Sequence, residues 1–169
     1  MEKAQAAYQA GEFLQAASLF ETAAQEYETD NNPLKAAEMQ NNRSVALLKA
    51  GDSLKALQAA QGTDQIFLQA GDKKRQAIAL GNQAAAYEAL GKNDKALALY
   101  HQCADLLKEV NDLETRTFVL KSISALQMRT GKQFEAMASM EAALNTTEHL
   151  TVKEWIIKKL LKVPFKMLR

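Results

Sequence analysis

The sequence predicts an all-α fold, an α-α superhelix of antiparallel helix pairs with a C-terminal capping helix. Three observations carry this. The 169 residues include thirty alanines and only two prolines, so a strong helix former is abundant and helix breakers are rare. Glycines recur at 11, 51, 91 and 131, a constant spacing of 40. A second set of turn positions, Asn31, Gly71, Asn111 and Thr151, lies 20 residues away. Two interleaved turn grids of equal period describe a repeated two-helix unit. Aromatic residues, at 7%, are too few for a β-sandwich or barrel.

The units run over about 1–30, 31–70, 71–110 and 111–150, which together form a repeat domain. In register with the glycines fall small residues at Ala16, Ala56, Ala96 and Ala136, and packing residues at Phe20, Ala60, Tyr100 and Met140. A second small column reads Ala23, Thr63, Cys103, Ala143, and a third Ala4, Ser44, Ala84, Ser124. Small residues at these places let paired helices approach closely. Such a pair cannot bury its apolar face alone and must stack on its neighbours.

Each element follows from local signals. Only ten residues precede Gly11, which predicts a shortened first helix or a piece of a longer array. In the third unit, Ala77, Leu80, Ala84 and Tyr87 have helical spacing within 73–90, and Gly91 supplies a left-handed terminus. The next helix is predicted over about 93–110, capped by Asn93 or Asp94, as Asp52 or Ser53 would cap its counterpart. Gly62 and Gly81 interrupt helices. Gly81 reads either as a point of close approach or as a groove-facing residue, and Gly62 as a local break. Residues 151–169 form the last segment. Thr151-Val-Lys-Glu154 is a capping box, and Pro164 is expected to end the helix it opens.

The stretch GNQAAAYEALGKNDKALALYHQCADLL (81–107) resembles a tetratricopeptide repeat (TPR), through Ala84, Tyr87, Gly91, Ala96, Tyr100 and Cys103. The other units match less fully, with Leu47 and Ala60 in unit two and Gln127 and Met140 in unit four at the aromatic places. The period exceeds the usual repeat of about 34. With GDKKRQA at 71–77, it is similar to the long repeats of Pins/LGN scaffolds and kinesin light chains, and more loosely to soluble NSF-attachment proteins. The resemblance covers residues 1 to about 150. It implies a TPR-like solenoid whose first helices line a concave, protein-binding groove.

Chemistry is sparse. The chain has no dinucleotide fingerprint, phosphate-binding loop, HExxH or CxxC, so no enzyme, cofactor or metal site is expected. The two histidines, His101 and His149, have no helical His or Cys partner. His101 is expected at the surface and Cys103 inside. One cysteine permits no internal disulfide. No secretory leader opens the chain and no apolar run approaches a membrane span. Together these suit a soluble, cytoplasmic protein. A formal net charge of +1 speaks against a dedicated nucleic-acid binder.

The register of the resemblance places Gln5, Glu38, Asn42, Lys49, Ile78, Asn82, Phe118, Lys121, Ser122 and Arg129 toward the groove. Asn42 and Asn82 are the sharpest of these. An amide both donates and accepts, and so holds a peptide backbone whatever its side chains, although an asparagine can equally just hydrate a helix surface. The Arg pair that acid-binding relatives place before this Asn is replaced by Ala77 and Ile78. Only Lys49, Lys121 and Arg129 are basic, so a mixed groove is expected and not a carboxylate clamp. The expected function is a non-enzymatic scaffold for a peptide or partner helix.

The alternatives are self-assembly through the repeat ends and a membrane or acidic-partner adaptor acting through the C-terminal segment. Residues 151–169 carry six basic residues against one acid, whereas residues 1–150 carry 15 against 19. Trp155, Lys158, Lys159, Lys162 and Lys166 are the candidates there. The simpler reading of this helix is a cap with its lysines on the wet side.

Overall fold

A computed structural model describes residues 1–146 and 151–161, and every regular element among them is a helix. In order these are α1 (Glu2–Gln9), α2 (Phe13–Thr29), α3 (Pro33–Lys49), α4 (Ser53–Ala60), α5 (Thr63–Gln69), α6 (Lys73–Ala89), α7 (Asn93–Glu109), α8 (Leu113–Arg129), α9 (Gln133–Thr146) and α10 (Val152–Leu161). Each helix packs against the next in sequence except α4 and α5, and α6 packs on both of these.

Both turn grids act as helix terminators. Gly11, Gly51, Gly91 and Gly131 on the first grid, and Asn31, Gly71 and Asn111 on the second, all have positive φ. At each, the following residue's N–H reaches back to a carbonyl five residues earlier, as in Lys92 N to Tyr87 O at 2.9 Å and Asn32 N to Tyr27 O at 2.8 Å. This closes the helix end and satisfies carbonyls that would otherwise be orphaned. The same turn presents the next N-cap. Asn32, Asp52, Asp72 and Asp112 accept the N–H of Lys35, Lys55, Arg75 and Thr115 at 2.9–3.2 Å. The expected cap at Asn93 or Asp94 is not formed. Lys92 occupies the N-cap, which puts both residues inside the first turn, and Asp94 instead receives Lys132 Nζ at 3.1 Å.

The predicted columns form the core. Ala16, Ala56, Ala96 and Ala136 are all completely buried. Ala4, Ser44, Ala84, Ser124, Ala23, Thr63, Cys103 and Ala143 are buried too, as are Phe20, Ala60 and Tyr100, while Met140 is half-buried. Gly81 sits against Cys103, and a Cβ built there would lie 3.4 Å from Sγ.

The second unit departs from the pattern at the expected place. Gln61 turns extended after α4, and Gly62 at φ +82° starts α5 in a new direction. The break is sealed by buried polar bonds that the sequence did not suggest. Thr63 Oγ1 donates to Ala60 O (2.7 Å) and Asn41 Oδ1 (3.2 Å), and Gln83 Nε2 donates to Ala60 O (3.2 Å) and Asp64 Oδ1 (2.7 Å). Asp64 lies in the first turn of α5, where the helix dipole favours a carboxylate.

At the C-terminal end the capping box forms, with Glu154 Oε2 accepting Thr151 N at 2.9 Å and Thr151 Oγ1 accepting Glu154 N at 3.3 Å. Of the α10 lysines, Lys153 and Lys159 are on the wet side as expected, but Lys158 and Glu154 bond to the body beside half-buried Ile157, while Val152, Trp155, Ile156 and Leu160 are exposed. Pro164 and His149 lie outside the described residues.

Two substitution pairs test this account by urea denaturation. Gly62→Ala meets no neighbour within 4 Å but strains a left-handed residue, and should cost about 1 kcal/mol. Gly81→Ala fits its contact and should gain up to about 1 kcal/mol from helix propensity. Ser124 Oγ donates to Ala136 O at 2.7 Å, whereas Ser44 Oγ is buried without a partner among the described residues. Ser124→Ala should therefore cost about 1 kcal/mol and Ser44→Ala should be neutral or stabilising.

Candidate ligand-binding face

The first helices of successive units lie side by side. Arg75 of α6 reaches Glu38 of α3 at 3.6 Å, Asn82 Nδ2 donates to Asn41 Oδ1 at 3.4 Å, and Arg129 of α8 pairs with Glu88 of α6. Lys121 of α8 then holds Glu154 of α10 at 2.6 Å. Residues four, seven and eleven apart share a helix face. One face thus presents Glu38, Asn42, Val45 and Lys49 on α3, Ile78, Asn82, Ala85 and Ala89 on α6, and Phe118, Ser122, Ala125 and Arg129 on α8. All twelve are exposed or half-exposed, as is Gln5 on α1. Lys121, the remaining candidate, is half-exposed on α8 next to Ser122.

Their chemical states differ. Asn42 lines a small pocket of about 150 Å³ with Gln5, Tyr8, Phe20 and Val45, and it has no hydrogen-bond partner among the described residues. Asn82 differs because its amide N–H₂ is engaged with Asn41, which also accepts from Thr63. It is thus tied into the seal around the α4–α5 break. Ser122 Oγ is turned back to Phe118 O at 3.2 Å. Phe118 itself is 71% exposed, and Ile78 is exposed beside it in register. The face runs from amides near α1 and α3 to apolar side chains on α6 and α8.

The basic candidates do not converge. Arg129 is matched by Glu88, which also accepts Tyr100 Oη at 2.9 Å. Burial first, and then this carboxylate, pushes the Tyr100 phenol well above its ordinary range. Lys121 is spent on Glu154. Lys49 is exposed without an ion pair among the described residues. Glu38 is held by both Lys35 (2.9 Å) and Arg75. No carboxylate clamp is assembled from these groups.

Away from this face, a cavity of about 620 Å³ opens where α4 breaks. It is lined by Gln40, Arg43, Lys55, Gln58, Gln61 and Ile66 among others. Its signal in the sequence was Gly62-Thr63-Asp64. Arg43 is already bound to Glu21 at 2.8 Å and Lys55 to Asp52 at 2.9 Å. His101 is exposed, and Cys103 is buried, with its thiol pushed up to about 12 by desolvation. Among the described residues no group of three or more His, Cys, Asp and Glu is arranged to hold a metal ion, and no helix is long and apolar enough to cross a membrane. Of the C-terminal candidates, Trp155 and Lys159 are exposed, and Lys158 Nζ donates to Leu144 O at 3.0 Å. Lys162 and Lys166 lie outside the described residues.

In comparison with known proteins, no protein-family model matches the chain and no curated protein is similar to it.

The contact between α8 and α10 is pH-dependent. Lys121 first, then the N–H and hydroxyl of Thr151, hold the Glu154 carboxyl down to about 2 from an ordinary 4.5. A lowered pKa stabilises the docked helix fully above about 4.5, and this support is lost as pH falls toward 2. Lys121→Met should raise the Glu154 value measured by carboxyl carbon NMR, so that α10 loosens at a higher pH than in the parent chain. An unchanged titration would contradict this contact.

Proposed function

We propose that the chain is a non-enzymatic protein-interaction scaffold, a TPR-like superhelix that holds an extended peptide or partner helix along the face of its first helices. The observation that carries this reading is the shared accessible surface of α1, α3, α6 and α8. Asn42, whose amide has no partner among the described residues, stands at one end, and an exposed aromatic, Phe118, stands at the other. An amide without a partner among the described residues can bond a peptide backbone without displacing any bond seen there. An exposed phenyl ring gains apolar burial only when something covers it.

The charge pattern supports a selective preference. With Arg129, Lys121 and Glu38 each matched inside the chain, the face rewards backbone bonding and apolar anchors over a terminal carboxylate. A ligand with large apolar side chains toward one end fits best. The single, buried cysteine is compatible with a reducing, cytoplasmic setting.

A peptide library titrated against the parent chain, Asn42→Ala and Phe118→Ser tests this. Both side chains are accessible, so circular dichroism should be unchanged. Selected peptides should bind Asn42→Ala about fivefold more weakly, as expected for one lost hydrogen bond, and Phe118→Ser more weakly again. Equal binding of every selected peptide to all three proteins would overturn the reading.

A further inference from the structure

The C-terminal helix turns Glu154, Ile157 and Lys158 toward the body and leaves most of its other apolar side chains outside. Glu154 and Lys158 are one turn apart and both bond to the body, Glu154 to Lys121 at 2.6 Å and Lys158 to Leu144 O at 3.0 Å. Val152, Ile156 and Leu160 also follow at one-turn intervals. Two residues away along a helix is about 200° around it, so this second series lies opposite the first. The exposures agree, at 77% for Val152, 47% for Ile156 and 64% for Leu160, with Trp155 at 54% beside them. Lys153 and Lys159 are exposed on the same outer side, and Lys159 Nζ lies 5.5 Å from the centre of the Trp155 ring. The only acid of α10, Glu154, is turned inward.

We propose that this outer surface of α10 docks on an anionic lipid bilayer, with the repeat domain held above it. The arrangement suits the boundary between headgroups and acyl chains. Aliphatic side chains enter the acyl edge, an indole sits at the interface, and flanking ammonium groups meet lipid phosphates and carboxylates. Docking on α8 and α9 through Glu154 and Lys158, with Ile157 half-buried between them, leaves Val152, Ile156 and Leu160 facing outward. Charge favours the same surface. The segment from 151 onward carries six basic residues against one acid, and each lysine near an anionic leaflet strengthens binding by about fivefold. A convex strip of one helix matches a bilayer plane better than it matches a protein, which would need a groove shaped to it.

Trp155 is the only tryptophan in the chain, so its emission reports α10 directly. The full chain should show a blue shift with vesicles of phosphatidylcholine and phosphatidylserine, weakened by salt, and little with phosphatidylcholine alone. Lys153→Glu/Lys159→Glu and Ile156→Ser/Leu160→Ser change only outward side chains. Each pair should lower vesicle affinity at least tenfold, with circular dichroism unchanged. The proposal is overturned if the parent chain shows no shift with either vesicle, or if both pairs bind like the parent. It is also overturned if the parent is an oligomer that Ile156→Ser/Leu160→Ser dissociates while vesicles go unbound, since the occupant would then be a second copy of the chain.

Discussion

The approach of helix backbones across alanine governs everything else in this molecule. Ala16, Ala56, Ala96 and Ala136 have no accessible surface, and each stands one turn into the second helix of its unit. A larger side chain there would separate the pair and lift Phe20 or Tyr100 out of the gap they fill. An alanine contact contributes little apolar area by itself. Its value lies in the close packing that it permits around it. The turn grids serve the same end. A left-handed residue followed by a reach-back bond ends each helix at a fixed position, so the alanine column meets its partner in register in every unit.

The break between α4 and α5 shows what this arrangement tolerates. The second unit carries Ala60 where others have Phe, Tyr or Met, and Thr63 where others have Ala or Cys. A continuous helix would have left the Thr63 hydroxyl bonding its own turn and would have swept Asp64 elsewhere. With Gly62 left-handed, Thr63, Asp64, Asn41 and Gln83 instead satisfy one another at the junction. Buried polar groups are tolerable when each has a partner. The seal also recruits Asn82, so a local irregularity on the second helices alters the chemistry of a residue on the first-helix face.

The helix ends and the core columns were legible in the sequence because both obey short-range rules at a fixed period. Gly91, Asn31 and Asp52 announce their roles through residue type and spacing alone. The cap of α7 was misassigned because Asn93 and Asp94 are both good capping residues. What decides between them and Lys92 is the length of the preceding turn. The difference between Asn42 and Asn82 was not legible, since they occupy equivalent positions 40 apart. Only Asn41, brought near by the packing of α3 on α6, distinguishes them. The orientation of α10 was hidden for a similar reason. Its apolar and basic residues alternate closely enough that either side could face inward, and the choice rests on two distant partners, the Lys121 ammonium that donates to Glu154 and the Leu144 carbonyl that accepts from Lys158.

These contacts also explain why the charge of the chain divides as it does. Within the repeat domain most lysines and arginines near an interhelical seam have a carboxylate across it. Arg43–Glu21, Lys73–Glu109, Lys74–Asp112 and Lys132–Asp94 are examples. Exposed pairs of this kind contribute little stability individually, but they leave the seams without net charge. The C-terminal segment breaks the habit. It places one acid inward against Lys121 and leaves its outward lysines unmatched by any acid of their own helix. Residues that serve only to hold helices together are neutralised by their neighbours in this protein. A surface on which apolar groups and positive charge both remain uncovered stands outside that pattern, and the physics of folding gives no reason to keep it so.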